Sequence, residues 1–219
     1  MSIERKMTTP SKSKRPQGDG DEAAVRERIL EAAFTAFMKN GYAAASTIEI
    51  ATRARVSKRE LYALVGKKQE MLIACIGGRA RRVQLAADLP IPRDRETLAE
   101  ILSSFGAQLI REVSDPTVIA VFRLAIAETT QAPEVARTLD ARGREATRTA
   151  LRKIMTQAQE FGLLEGRTAD LIEQFYGLLW GDLMIGLLLG VADRPPPREI
   201  ASRARRASKA FLRLHSGET

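Results

Sequence analysis

The chain has 219 residues, of which 44% are hydrophobic and 28% are charged, as expected for a soluble globular protein of one or two domains. It contains one cysteine and one histidine, so an internal disulfide is excluded, and neither a His/Cys metal site nor a Ser-His-Asp triad is supported. Its net charge of +8 is localised, because residues 1–82 hold 17 basic and 9 acidic residues, whereas residues 83–219 hold 18 of each.

The N-terminal region is predicted to be a basic tail followed by a helix. Residues 1–20 combine basic side chains and prolines with few apolar residues, which is typical of a disordered tail. Such a tail either follows DNA phosphates or remains passive. It lacks the apolar run of a signal peptide, and a single cysteine suits a reducing cytoplasm. In residues 21–40 apolar side chains recur every three or four positions, which predicts a helix that stops at Gly41.

Two short helices are predicted next. Ser46 precedes Glu49 by three residues, and Ser57 precedes Glu60 by three, which predicts a capping box at each helix start. Starts eleven residues apart fit a helix-turn-helix, whose second helix enters the major groove of DNA. The excess positive charge lies in the same third of the chain, where it would neutralise phosphates; the alternative is a solvated basic face that serves solubility. The predicted helices span residues 47–54 and 58–64.

The remaining chain is also predicted to be helical. A helix opened by Lys67 and Lys68 is expected to reach about Ala87, and the apolar segment Leu171–Ala192 is interpreted as buried rather than transmembrane because acidic residues interrupt it. No stretch alternates at period two, so the predicted fold class is all-α with nine helices. The further predicted helices span 95–113, 116–129, 133–161, 168–189 and 198–214. The predicted domains are a helix-turn-helix DNA-binding domain over 21–66 and a helical effector-binding and dimerisation domain over 67–219.

Apolar, small and polar residues across 25–72 form a pattern with fixed spacings. The pattern is Ile29-Leu30, Ala33, Phe37, Gly41-Tyr42, Ser46, Ile50-Ala51, Ala54, Val56-Ser57, Leu61-Tyr62 and Lys68. It resembles the N-terminal domain of TetR-family transcriptional regulators. Residues 122–128 and 133–136 are similar to one C-terminal subgroup of the same family. The resemblance implies a homodimeric all-α regulator, usually a repressor, with a variable ligand-binding domain.

Two positions depart from that family pattern. Arg55 stands where the turn between the two short helices usually has a glycine, and Val65 stands where the family favours an aromatic residue before Gly66. A left-handed conformation at Arg55 would cost on the order of 1 kcal/mol, which a contact between its guanidinium and DNA phosphate would offset.

The predicted DNA-binding residues surround the start of the second short helix. Arg59 is the leading base reader because a guanidinium pairs with guanine through two hydrogen bonds, and Lys58 would read guanine or bind phosphate. Glu60 is interpreted as a cap, with acceptance of a hydrogen bond from cytosine as the alternative. The resemblance implies phosphate contacts for Tyr62 and Lys68. The full set is Ser46, Arg55, Ser57, Lys58, Arg59, Tyr62, Lys67 and Lys68.

The C-terminal region is predicted to hold an apolar effector pocket and a dimer interface. Arg123 and Glu128 would orient a ligand, or would pair with each other or with solvent, and a cationic effector is expected if Glu128 faces the cavity. For any single aromatic or methionine side chain, ordinary core packing is favoured over a place in the pocket. The predicted effector residues are Phe105, Phe122, Arg123, Glu128, Met155, Tyr176 and Trp180. The predicted dimer residues are Leu183, Met184 and Leu187, on a helix too apolar to face water.

The sequence therefore predicts a cytoplasmic homodimeric regulator that binds a palindromic double-stranded operator and is released from it by a lipophilic small molecule, without cofactor, metal or membrane. An activator, or an architectural DNA-binding protein without an effector, is the alternative. A helical enzyme or carrier is disfavoured because histidine, cysteine and clustered acids are scarce. A membrane-surface protein is disfavoured because the tail lacks an amphipathic apolar face.

Overall fold

The computed structural model describes the backbone of residues 18–80 and 90–215 and the side chains of residues 21–78 and 90–215. All regular structure in these ranges is helical, which confirms the all-α fold class. The helices are α1 (Gly18–Asn40), α2 (Thr47–Ala54), α3 (Lys58–Leu64), α4 (Lys68–Ala80), α5 (Arg95–Val113), α6 (Pro116–Ala127), α7 (Glu134–Leu139), α8 (Glu145–Glu160), α9 (Thr168–Trp180), α10 (Leu183–Leu189) and α11 (Pro197–Leu214). Residues 1–17 of the predicted tail, and the predicted continuation of α4 towards Ala87, lie outside the described residues.

The first hydrophobic core joins α1–α4 to parts of α6 and α7. Ile29 and Phe37 of α1 are fully buried in it, together with Leu61 of α3 and Met71 of α4. Val135 of α7 is fully buried in the same core. The division predicted between residues 66 and 67 therefore separates side chains that pack together.

The second core is formed by α5, α8, α9, α10 and α11. Three aromatic rings, those of Phe105, Phe175 and Phe211, run through it with centroid separations of 6.3 Å and 5.6 Å. Gly106 allows α5 to approach α9 closely, because a Cβ atom at this position would lie 2.8 Å from a methyl group of Leu179. The fold thus has two apolar centres rather than one.

Helix α6 contacts both centres. Ile119 is buried in the second core, whereas Val121, Leu124 and Ala125 are buried in the first. Asp115 caps the start of the helix by accepting a hydrogen bond from the Thr117 N–H, and proline occupies the first helical turn. A displacement of α6 would consequently change the packing of both cores.

The predicted continuous helix over 133–161 contains a π-helical turn. Between Asp140 and Arg144 the backbone widens, and the Glu145 N–H bonds to the carbonyl of Asp140, five residues earlier. A π turn places one more residue in the turn than an α-helix does, so it rotates the side chains beyond it. Apolar periodicity does not reveal such a turn.

The predicted single helix over 168–189 is wrong. Helices α9 and α10 meet at 60°, because Gly181 adopts φ 46° and ψ −126°, which a residue with a Cβ atom rarely tolerates. Arg203 of α11 donates to the Trp180 carbonyl at 3.2 Å, next to the break. No single helix among the described residues has the length and apolarity to cross a membrane, although the bent pair α9–α10 meets that criterion jointly.

Candidate DNA-reading surface and effector cavity

Helices α2 and α3 form the predicted helix-turn-helix, and serine side chains cap both. The Ser46 hydroxyl accepts from the Ile48 N–H at 3.2 Å, and the Ser57 hydroxyl accepts from the Glu60 N–H at 3.1 Å. The predicted reciprocal bonds from the two glutamate side chains are not formed among the described residues, and Glu49 instead accepts from the Asn40 amide at 3.0 Å. Each cap therefore consists of the serine hydrogen bond alone, and Glu60 contributes its backbone N–H to the cap rather than its carboxylate.

The turn between α2 and α3 is closed by Arg55. This residue has φ 56° and ψ 45°, and it is the single non-glycine residue with positive φ in the described chain. Its N–H bonds to the Thr52 carbonyl and the next N–H, of Val56, bonds to the Ala51 carbonyl at 3.0 Å, which makes a Schellman motif. Arginine thus occupies a conformation that favours glycine, and its side chain is exposed beside α3.

The first turn of α3 faces solvent. Ser57, Lys58 and Arg59 are all exposed, whereas Leu61 on the opposite side is fully buried against α1 and α2. Lys67, at the start of α4, is exposed as well. The structure therefore brings together a basic, accessible helix start of the kind that enters a major groove.

Tyr62 and Lys68 also make contacts within the protein. The Tyr62 hydroxyl lies 3.4 Å from the Thr47 hydroxyl, which links α3 to α2, and its ring is 39% exposed. The Lys68 ammonium donates to the Ala43 carbonyl at 2.8 Å and lies 4.8 Å from the centre of the Tyr42 ring. Burial lowers the pKa of Lys68, partly offset by the negative charge of Glu128. Lys68 is thus directed at the α1–α2 loop.

Glu128 lies against the α1–α2 loop and not in the cavity predicted for it. It comes directly after α6, is 7% exposed, and accepts a hydrogen bond from the Ala43 N–H at 3.2 Å. Its carboxylate also lies against Gly41, where an added Cβ atom would approach to 2.7 Å. Glu128 and Lys68 therefore hold the same loop from its N–H and its carbonyl sides. The contact spans 85 positions of the chain, and no local sequence pattern indicates it.

A cavity of about 790 Å³ lies between α5, α6, α8, α9 and α10. This volume falls within the range of small-molecule pockets. Its apolar wall includes Leu109, Val113, Phe122, Ile172, Trp180 and Met184. Its charged wall consists of Arg144, Arg148, Arg152, Arg167, Asp170 and Glu173, and sequence reasoning singled out none of these six. The spacing of four residues between Arg144, Arg148 and Arg152 was the one sequence feature that could have indicated a basic face on this helix.

Three of the seven predicted effector residues line this cavity, namely Phe122, Tyr176 and Trp180. Phe105 and Met155 are buried in the second core instead. Arg123 lies against α10, where it donates to the carbonyls of Leu187 and Leu188 at 2.8 Å and 3.0 Å. This agrees with an interaction at a helix C-terminus rather than with a ligand contact.

The three predicted dimer residues point into their own chain. Leu183 and Leu187 are buried in the second core, and Met184 lines the cavity. The outer side of α9 and α10 carries Leu178 and Ile185, which are 36% and 54% exposed. Any interface on these helices consequently uses that outer side.

Among the described residues, no three His, Cys, Asp or Glu side chains lie close enough to hold a metal ion. The polar groups brought together are instead a basic helix start on one core and arginines around a cavity in the other. The first arrangement suits DNA, and the second suits a small organic molecule.

Comparisons with known proteins agree with this division. Residues 29–75 match the family of bacterial regulatory proteins described as the tetR family, and residues 100–216 match the family described as AefR-like transcriptional repressor, C-terminal domain. Among solved structures, the flavonoid-responsive regulator FrrA is 27% identical, with 90% of this chain and 100% of that chain covered and a TM-score of 0.75. No curated protein matches the chain.

Two further solved structures are similar along nearly their whole length. A TetR transcriptional regulator from Agrobacterium tumefaciens is 27% identical, with 87% of this chain and 94% of that chain covered and a TM-score of 0.70. A TetR family transcriptional regulator from Pseudomonas syringae pv. tomato is 25% identical, with 87% and 96% covered and a TM-score of 0.65. Since the C-terminal family match alone spans more than half of the chain, the protein belongs to the TetR family of transcriptional regulators.

Proposed function

We propose that this TetR-family protein is a ligand-responsive repressor, which binds a palindromic operator as a homodimer and leaves it when a small molecule fills the cavity. The observation that carries the proposal is the position of α6. Phe122 of this helix lines the cavity, Val121 and Leu124 pack in the core beneath the helix-turn-helix, and Glu128 at its end binds the loop before α2.

Base recognition is assigned to the first turn of α3. Arg59 is exposed and makes no hydrogen bond or ion pair within the described residues, so its guanidinium is available to a guanine edge. Lys58, Arg55 and Lys67 are also exposed and are assigned phosphate contacts, and the Ser46-capped start of α2 adds backbone N–H groups. Lys68 is assigned a positioning role, because its ammonium already binds the Ala43 carbonyl.

Ligand release would result from coupling between the two cores. A ligand that binds more tightly when α6 is displaced would favour the displaced state only by its difference in affinity for the two states. Displacement of α6 would move Glu128 and, through Ala43, the start of α2. The two recognition helices of a dimer would then no longer match half-sites about one helical turn apart. FrrA, which is 27% identical to this chain, is a flavonoid-responsive regulator, and this supports a small-molecule effector here.

The test is selection of DNA sequences by the full-length protein, combined with affinity measurements. Wild-type protein should select a palindrome, and its affinity should fall steeply with salt. Arg59→Ala should relax one base position in each half-site at a cost of about 1–3 kcal/mol. Arg198→Ala, which removes an exposed arginine from α11, is the control and should select the wild-type motif. An unchanged motif with Arg59→Ala would remove this residue from the base-reading role.

The alternative function is an activator or an architectural DNA-binding protein without an effector. Such a protein would bind DNA through the same α3 surface, but its DNA binding would not respond to added ligand. If broad lipophilic libraries neither raise the melting temperature nor weaken operator binding, the architectural alternative is favoured.

A further inference from the structure

The charged wall of the cavity defines the class of molecule that fits it. Arg144, Arg148 and Arg152 are spaced by four residues, so they lie on one face of the helix that begins at the π turn. Arg167 joins them from the turn between α8 and α9. Arginine is the side chain best suited to bind planar anionic groups through two parallel hydrogen bonds.

The acidic residues near these arginines do not neutralise them evenly. Asp140 accepts from both Arg144 and Arg148 through one oxygen, at 2.9 Å and 3.3 Å. Two guanidinium groups thus share one carboxylate, and each uses a single terminal nitrogen for it. In contrast, Arg152 pairs with Glu145 at 3.6 Å, and Arg167 has Asp170 at 3.9 Å. The excess positive charge is therefore at Arg144 and Arg148.

The remaining carboxylate of the lining determines where an anion would sit. Glu173 lines the cavity, and it has no ion-pair partner among the described residues. It lies nearly one turn before Tyr176, towards the turn that joins α8 to α9. Since like charges repel, an anionic group is directed away from Glu173 and towards Arg144 and Arg148.

Tyr176 provides a neutral hydrogen-bond donor beside these two arginines. Its hydroxyl donates to the Thr147 hydroxyl at 3.4 Å, a length that leaves the bond weak. Burial raises the pKa of Tyr176, against the opposing effect of Arg144 and Arg148, so the phenol stays protonated at neutral pH. Beyond Tyr176 the lining becomes apolar, with Phe122, Trp180 and Met184.

We infer that the cavity binds an amphipathic anion: a carboxylate or equally acidic oxygen group between Arg144 and Arg148, on an apolar body that reaches Trp180. The inference deepens the proposed function and rests on the same cavity. It replaces the cationic effector expected if Glu128 faced the cavity, because Glu128 binds Ala43 instead. The π turn at Asp140–Arg144 supports the assignment, since such turns recur at functional sites.

The test uses three molecules with one apolar body: biphenyl-4-carboxylate, its neutral amide, and the cationic 4-(aminomethyl)biphenyl. Binding to the full chain is measured through the fluorescence of Trp180, the single tryptophan of the sequence, and through the melting temperature. The carboxylate should bind on the order of tenfold more tightly than the amide, and the cation more weakly than both. Equal binding of carboxylate and amide, preferred binding of the cation, or binding of none of the three overturns the inference.

Substitutions assign the preference to named residues. Arg148→Gln and Arg144→Gln should each reduce the ratio of carboxylate to amide affinity towards one, while the amide affinity itself stays within about twofold. Arg148→Lys should retain part of the ratio, because it keeps the charge without the planar donors. Arg198→Gln removes one charge from α11 outside the cavity and should leave the ratio at the wild-type value. A ratio that survives both cavity substitutions would overturn the assignment.

Operator binding is measured separately on the wild-type chain, so that the two proposals can fail independently. If the carboxylate binds but no DNA sequence is selected, the regulator proposal fails and the cavity assignment stands. If DNA is selected and the three probes all bind equally or not at all, the cavity assignment fails and the DNA-binding function stands.

Discussion

The carboxylate of Glu128, at the end of α6, accepts a hydrogen bond from the backbone N–H of Ala43, in the loop between α1 and α2. The Lys68 ammonium binds the Ala43 carbonyl at 2.8 Å, so two side chains of opposite charge hold one residue of that loop. The loop leads directly to Ser46, the cap of α2. A helix that lines the cavity is thereby connected to the start of the helix-turn-helix.

Glu128→Ala is expected to weaken both stability and operator binding. It leaves the Ala43 N–H without its partner, which should lower the free energy of unfolding by about 1 kcal/mol. Glu128→Gln is the matched control, because its amide oxygen still accepts a hydrogen bond, and it should lie closer to wild type. Urea unfolding and operator titration measure the two effects. Glu128→Ala with wild-type stability and affinity would show that the hydrogen bond between Glu128 and Ala43 does not form in solution.

Substitutions of Arg55 distinguish the cost of its left-handed conformation from the contribution of its charge to DNA affinity. Arg55→Gly removes the cost of a left-handed conformation and should raise the free energy of unfolding by about 1 kcal/mol, whereas Arg55→Ala should not. Both substitutions remove the same charge, so both should reduce the slope of log affinity against log salt by about one for each protomer. If Gly and Ala have the same stability, Arg55 does not hold a positive φ.

Dimerisation is expected to use the outer side of α9 and α10. Leu178→Glu should yield folded monomers, because it places a charge on an exposed apolar position without disturbing the second core. Phe161→Glu is the control, since Phe161 is 52% exposed and lies just after the C-terminal end of α8, outside α9 and α10. Sedimentation equilibrium measures the outcome. By contrast, Leu187→Arg should unfold the chain, because Leu187 is buried within it.

Asp94 is expected to give a pH-dependent contribution to stability. Its side chain accepts from the Thr97 N–H at 2.7 Å, and the Thr97 hydroxyl accepts from the Asp94 N–H at 3.1 Å, which forms a full capping box at α5. These bonds from Thr97 lower the pKa of Asp94 in the folded state. The contribution is therefore fully present above the unfolded pKa of about 3.9 and is lost as the pH falls through the lower folded value.

The measurement compares wild type with Asp94→Ala by urea unfolding across pH. Asp94→Ala should be less stable at neutral pH, and the difference should shrink below about pH 4 as the wild-type carboxylate is protonated. A difference that stays constant down to about pH 2 would mean that the carboxylate charge does not contribute to the cap.

Local signals in the sequence determined the bounds of α2, α3 and α5. Ser46 and Ser57 mark helix starts through bonds within three residues, so a linear pattern suffices to find them. The break at Gly181 was missed because apolar residues continue with helical periodicity on both sides of it, and a single glycine within such a run does not enforce a bend.

The cavity was predicted only in part. Phe122, Tyr176 and Trp180 were found because large aromatic residues on apolar helices concentrate in cores and pockets. The arginines were missed because charged side chains on a helix usually face solvent, and only the packing of α8 against α9 reveals that Arg144 and Arg148 border a cavity. The prediction that Glu128 faces the cavity was wrong because its hydrogen-bond partner, Ala43, is distant in sequence and no local pattern connects the two residues.

The π turn at Asp140–Arg144 gives this protein a simple route to altered ligand preference during evolution. Such a turn contains one residue more than an α-helical turn, so rewinding the same residues into a regular α-helix would rotate every side chain after it by about 100° relative to α7. Arg148 would then be directed elsewhere while the residues of α1–α4 stayed the same. A substitution that rewinds this turn would therefore change the lining of the cavity without changing the surface of α3.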